Sequence, residues 1–204
     1  MLYRYKLQGT FGFHLIHRHE KIEENMIRVE TSLKSKQGTW TKSVAIDHVN
    51  LNNIHGSLFM LQPGSRFVAY EYREGQPKPS LATADPTFFH ELADYLFENN
   101  LAGLIALEVL DENRQHIEHW VEYELEGGST VVLSKLDTNP GAYARATGWR
   151  QRQNEAPNDP DPQPGTHYEE TTKGTHRVFV KKQELQNEEG LIGALRAANV
   201  LRAD

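Results

Sequence analysis

The sequence contains no cysteine. It therefore has no disulfide framework, zinc knuckle, iron–sulfur cluster or thiol nucleophile, and any metal must be held by His, Asp or Glu. It also lacks a surplus of positive charge, because 22 Lys and Arg stand against 28 Asp and Glu for a formal net charge of -6. That balance is opposite in sign to a phosphate-binding surface, so nucleic acid is not an expected partner. No apolar run approaches the roughly 20 residues that a membrane-spanning helix requires. The N-terminal stretch is broken by Arg4, Lys6, His14, His17 and His19 and has no signal-peptide h-region. A soluble, cytoplasmic protein with no membrane partner is the expectation. The absence of G-x-S-x-G, G-x-x-x-x-G-K-[ST] and G-x-G-x-x-G argues against a serine elbow and against any nucleotide cofactor.

What is present suits one domain over residues 1–204, since 38% of the 204 residues are hydrophobic. The first half reads as strands and turns. Residues 11–19 form a short apolar run that ends in a charged cluster, residues 26–33 alternate partly, and residues 39–48 follow a turn at Gly38. Gln62-Pro63-Gly64-Ser65 separates strands at 57–62 and 66–73. Proline there presets φ and glycine supplies positive φ, which predicts a type II hairpin turn. A helix follows a linker at 75–84: Asp85 caps it, Pro86 suits its first turn, Phe88, Phe89, Leu92, Ala93, Leu96 and Phe97 form its stripe, and Asn99-Asn100 ends it. Residues 101–110 read as a strand.

Ile117, His119, Val121, Tyr123 and Leu125 then alternate with Glu118, Trp120, Glu122 and Glu124, and a Gly127-Gly128 turn leads into 130–136. Residues 138–173 break the pattern: Pro157, Pro160, Pro162 and Pro164 sit among polar residues, predicting a mobile internal loop, lid or disordered insert. A strand at 175–181 and a helix at 188–202 close the chain. The fold class expected is α+β, a curved antiparallel sheet or open barrel of about eight to nine strands with one central and one C-terminal helix.

The sharpest chemical feature is Gly12-Phe13-His14-Leu15-Ile16-His17-Arg18-His19-Glu20. On a strand, His17 and His19 share the face of Phe11, Phe13 and Leu15, and His14 points the other way with Ile16 and Arg18. Two imidazoles at i and i+2 can hold one metal with ligands from another strand, for which His119 and His176 are the candidates and Glu23 or Glu24 the possible carboxylate. The same pair can instead act without metal as a general acid and base, or form a polar rim beside Glu20, Glu23 or Glu24. Histidines on apolar faces, such as His119 and His176, also serve as ordinary core residues.

Weaker constellations read as surface. Glu118, Glu122 and Glu124 with Trp120 suggest a solvated or partner-facing acidic face, and His90 with Asp94 an exposed i, i+4 pair on the helix. His116 and His119, three apart, fall on opposite strand faces. Arg145, Arg150 and Arg152 flank Trp149 and read as loop arginines able to clamp an anion.

The run His17-Arg18-His19-Glu20-Lys21-Ile22-Glu23-Glu24 resembles the first half of a cupin motif, H-x-H followed by glutamate. The second half of that motif has no counterpart: Pro63-Gly64 leads to Arg66, and Pro164-Gly165-Thr166-His167 lies far downstream. His17, Arg18, His19, Ile22, Glu23, Glu24, Val29 and Glu30 also resemble the N-terminal strand of a group of uncharacterised filamentous-fungal proteins. That resemblance implies a fungal protein tied to secondary metabolism and supplies no activity.

Two functions are therefore expected. The first is a small-molecule enzyme of lyase, isomerase or cyclase type, with catalytic His17, His19 and His119 and a divalent metal, if any, on His17, His19, His119 and His176. The second is a non-catalytic binding or interaction module that uses the proline-rich loop and the acidic strand face. The partner in the first case is a small-molecule ligand, and oligomeric state is left open.

Overall fold

The computed structural model describes residues 1–16, 22–77, 84–110, 119–125, 128–139, 144–150, 165–170, 177–178 and 185–202. In chain order the strands are β1 (Phe11–Leu15), β2 (Met26–Ser32), β3 (Gly38–Ala45), β4 (Ile54–Gln62) and β5 (Arg66–Glu74). Helix α1 (Pro86–Glu98) follows, then β6 (Ile105–Val109), β7 (His119–Leu125), β8 (Thr130–Ser134), β9 (Ala144–Arg150), β10 (Gly165–Glu170), β11 (Arg177–Val178) and helix α2 (Glu188–Ala197). This is an α+β fold with a central and a C-terminal helix, as expected. The expected strand count omitted β9 and β10, because both fall in the stretch read as irregular. Among the described residues, no helix is long and apolar enough to cross a membrane.

The chain divides into two compact units. One comprises Met1–His17, Val49–Glu118 and Gly148–Thr166, the other Arg18–His48, His119–Thr147 and His167–Asp204. Each draws on three separate stretches of sequence, so no contiguous fragment contains either core.

In the first unit β1 pairs antiparallel with β6, β6 with β4, and β4 with β5, while the end of β9 pairs with the other edge of β1. Phe11, Phe13 and Leu15 lie opposite Val109, Leu107 and Ile105, and Phe59 lies opposite Leu107, so one face of the sheet is apolar. Phe88, Leu92 and Leu96 of α1 cover it, with Phe11 stacked on Phe88 at 5.6 Å between ring centroids. Helix α1 starts as its sequence dictates: the Asp85 carboxylate accepts from Thr87 N–H at 2.9 Å, and Pro86 occupies the first turn. It ends in a Schellman motif, with Asn100 at φ 57° and Leu101 N–H bonded to Leu96 O at 2.7 Å. That motif uses up the start of the 101–110 run, so β6 begins only at Ile105. The β4–β5 connection is a three-residue turn, Pro63-Gly64-Ser65, in which both Gly64 (φ 82°) and Ser65 (φ 57°) are left-handed and Gln62 faces Arg66.

In the second unit β2 pairs with β3, β3 with β8 and β8 with β7, all antiparallel, and β11 runs parallel to β7. Its core joins Val121, Tyr123 and Leu125 of β7 and Val131 and Leu133 of β8 to Leu191 and Leu195 of α2. Asn187 caps α2 by accepting from Gly190 N–H at 2.9 Å, and Asn199 (φ 58°) closes it with Val200 N–H bonded to Leu195 O at 2.9 Å.

Candidate functional site

His17, His19 and His176 lie outside the described residues, as do His116 and Glu118. His119 opens β7, half-buried. By strand alternation its side chain shares the face of Val121, Tyr123 and Leu125 and so belongs to the core side of its sheet. Among the described residues, no group of three or more His, Asp or Glu side chains is placed to hold a metal ion.

The described histidine in a chemically rich setting is His14, which is only 5% exposed. It lies on the face of β1 turned away from α1, because Phe11 and Phe13 take the apolar face. Its direct neighbours across the strands are Ala106 on β6 and Gly148 on β9, so neither flank carries a side chain larger than a methyl group. One position along that face stands Gly12, opposite Glu108. A Cβ built on Gly12 would lie 3.6 Å from the Cβ of Arg150, which places Arg150 beside it on the same face. Glu108 in turn faces Leu58, and Leu58 faces Glu71.

Two β-bulges bring Glu71 to this face. Phe59 pairs with Ala69 but Leu58 pairs with Glu71, so Tyr70 is an extra residue on β5 and Ser57 an extra one on β4. Without the bulge, the period of two would put Glu71 with Phe67 and Ala69 against the helix. The bulge instead turns Glu71 and Arg73 away from α1. Both are buried, and the Arg73 guanidinium donates to Val109 O at 3.1 Å. The result is one sheet face bearing His14, Glu71, Arg73, Glu108 and Arg150. Diagonal neighbours on such a face have Cα atoms roughly 7–8 Å apart, within reach of side chains as long as Arg and Glu. Imidazole is the group best suited to carrying a proton at neutral pH, carboxylates share that role, and guanidinium groups hold oxyanions in two-pronged fashion.

The opposite, helix-covered face holds a cavity of about 480 Å³ lined by Phe11, Phe59, Phe67 and Phe89, with Ser65 and His90 among its polar contributors. The sequence reading of His90 as an ordinary exposed helix residue omitted this. The cavity offers an apolar hold but little reactive chemistry.

Two other sequence readings change. Glu122 and Glu124 are each 4% exposed, so they are not a solvent-facing acidic surface. β8 and β11 flank β7 on both sides, and every residue from Trp120 to Leu125 is buried, whichever face it lies on. Trp149 and Arg150, read as loop residues, belong to strand β9, where Trp149 lies opposite Phe13 and Gly148 opposite His14. Sequence reasoning set His14 aside because it pairs with neither His17 nor His19 in the strand alternation. The small residues that flank it, Ala106 and Gly148, belong to strands distant in sequence. No family model, curated protein or solved structure matches this chain.

Proposed function

We propose that the chain is an enzyme acting on a small organic molecule by general acid–base chemistry, without a nucleotide cofactor, and that His14 is its proton carrier. The observation that supports this is the burial of an imidazole between Ala106 and Gly148 on a face that also carries two carboxylates and two guanidinium groups. Clustered ionisable groups at this depth are costly to a fold and are a common mark of a reaction site. The proposal keeps the histidine-centred, nucleotide-free chemistry expected from the sequence and moves its centre from His17 and His19 to His14.

Proton transfer within a carbon skeleton, as in isomerases and lyases, needs the parts present. An imidazole takes a proton from carbon, an arginine holds the oxygen on which negative charge gathers, and a carboxylate or the imidazolium returns the proton. Isomerisation of that kind consumes no co-reactant.

The experiment is solvent exchange. Purified protein is incubated in D2O with pyruvate, 2-oxobutyrate or acetoacetate, and loss of the carbon-bound proton signal is followed by NMR. Catalysed exchange with at least one of these carbon acids is expected, together with its loss in His14→Asn at unchanged circular dichroism. No catalysis by the native protein, or equal catalysis by His14→Asn, overturns the proposal.

A further inference from the structure

The cavity of about 480 Å³ on the α1 side of the first unit's sheet takes no part in the chemistry of the His14 face. Its deepest residues are Phe11 and Leu107, both buried. Phe59 of β4, Phe67 of β5 and Phe89 of α1 stand around the space half-buried. Ser65 of the β4–β5 turn and His90 of α1 bring polar atoms to its edge.

The space is built into the packing. A Cβ on Gly56 would collide with Cζ of Phe59 and stand 2.9 Å from the Ala69 Cβ, so the Phe59 ring lies back over a position that only glycine leaves free. Phe89 is held by three neighbours, with ring centroids 5.8 Å from Phe11, 6.1 Å from Phe67 and 5.2 Å from Phe88. The walls are therefore in place before any guest arrives.

Volume and lining together define the guest. An apolar cavity of roughly 150 Å³ holds a single benzene ring, and about three times that room suits two fused or linked rings. Phe11 and Phe89 meet at 83° and Phe67 and Phe89 at 58°, so the lining presents both ring faces and ring edges, the two partners that a flat aromatic molecule takes. The Ser65 hydroxyl both donates and accepts, as a guest hydroxyl does. Ser65 stands at φ 57°, a left-handed position that glycine fills at less cost, and serine there sets a hydroxyl at the cavity edge.

We propose that this cavity binds a flat two-ring aromatic molecule bearing a hydroxyl group, with its rings among Phe59, Phe67 and Phe89 and its hydroxyl at Ser65. The site lies on the opposite face of the sheet from His14 and does not depend on the role given to that residue.

The test is equilibrium dialysis of the full chain against 2-naphthol and 4-phenylphenol, with naphthalene and biphenyl as the matching hydrocarbons. Saturable binding of at least one phenol, at one per chain, is expected. Phe67→Ala removes a wall and should weaken it by about fivefold or more. Ser65→Gly keeps a residue suited to the left-handed backbone while deleting the hydroxyl, so it should weaken the phenol by about threefold or more and leave its hydrocarbon within about twofold. Absence of saturable binding by both phenols to the native protein overturns the proposal. Undiminished phenol binding to Phe67→Ala overturns it as well, and so does undiminished phenol binding to Ser65→Gly. If Phe67→Ala does not fold, Ser65→Gly decides alone.

Discussion

Glu188, the first residue of α2, ties that helix to the connection between β2 and β3. Its Oε1 accepts from Lys34 N–H at 2.8 Å, from Ser35 N–H at 2.8 Å and from the Ser35 hydroxyl at 2.7 Å. Burial works to raise its pKa, but the Ser35 hydroxyl, the two backbone N–H groups and the charge of Lys34 outweigh it and hold the carboxyl below its ordinary value. A folded-state pKa lower than the unfolded one makes a contribution to stability that is complete above the unfolded value, here 4.5, and is lost as pH falls through the folded value. Hydrogen bonds to a charged group are worth about 1.5–3 kcal/mol when sheltered. Solvent screening at this partly exposed position lowers the expectation to about 1 kcal/mol for Glu188→Ala, and to about half of that for Glu188→Gln, which keeps an acceptor oxygen. The assay is urea unfolding at pH 7 and pH 3, followed by tryptophan fluorescence, for which Trp40 and Trp120 are buried reporters in the same unit. The gap between native and Glu188→Ala proteins should be present at pH 7 and narrow at pH 3. A gap of the same size at both pH values, or none at pH 7, refutes the reasoning.

Two further outcomes follow from packing. In Gly12→Ala the new Cβ would stand 2.9 Å from Trp149 O and 3.0 Å from the Cδ2 of Leu110. Because backbone cannot yield as a side chain does, thermal unfolding should show a loss of about 1–3 kcal/mol, and an unchanged midpoint would mean that β9 does not press on β1 at that point. Leu195→Ala empties a fully buried position in the core of the second unit and should cost about 2–5 kcal/mol in denaturant unfolding, whereas a cost near zero would contradict the packing of α2 on that sheet.

The elements that proved legible in the sequence are those whose causes are local. Asp85, Pro86 and the stripe from Phe88 to Phe97 specify α1, and Pro63-Gly64 specifies the β4–β5 turn, because caps, fixed φ values and a 3.6-residue period act between residues a few positions apart. Alternation likewise assigned His14 and the Phe11 and Phe13 pair to opposite faces of β1, which the register to β6 repeats. Strand β9 was not legible, since Ala144–Arg150 carries no alternation of its own and becomes a strand by pairing with β1.

The candidate site was less legible still. The bulges at Ser57 and Tyr70 that send Glu71 and Arg73 to the His14 face have no sequence marker, and Glu122 and Glu124, which look solvated in the sequence, are each 4% exposed. Composition, charge, helix caps and the main turn were thus determined by the sequence by itself. Which charged residues share a face was decided only by the tertiary structure, because that depends on the register and bulges of strands drawn from distant parts of the chain.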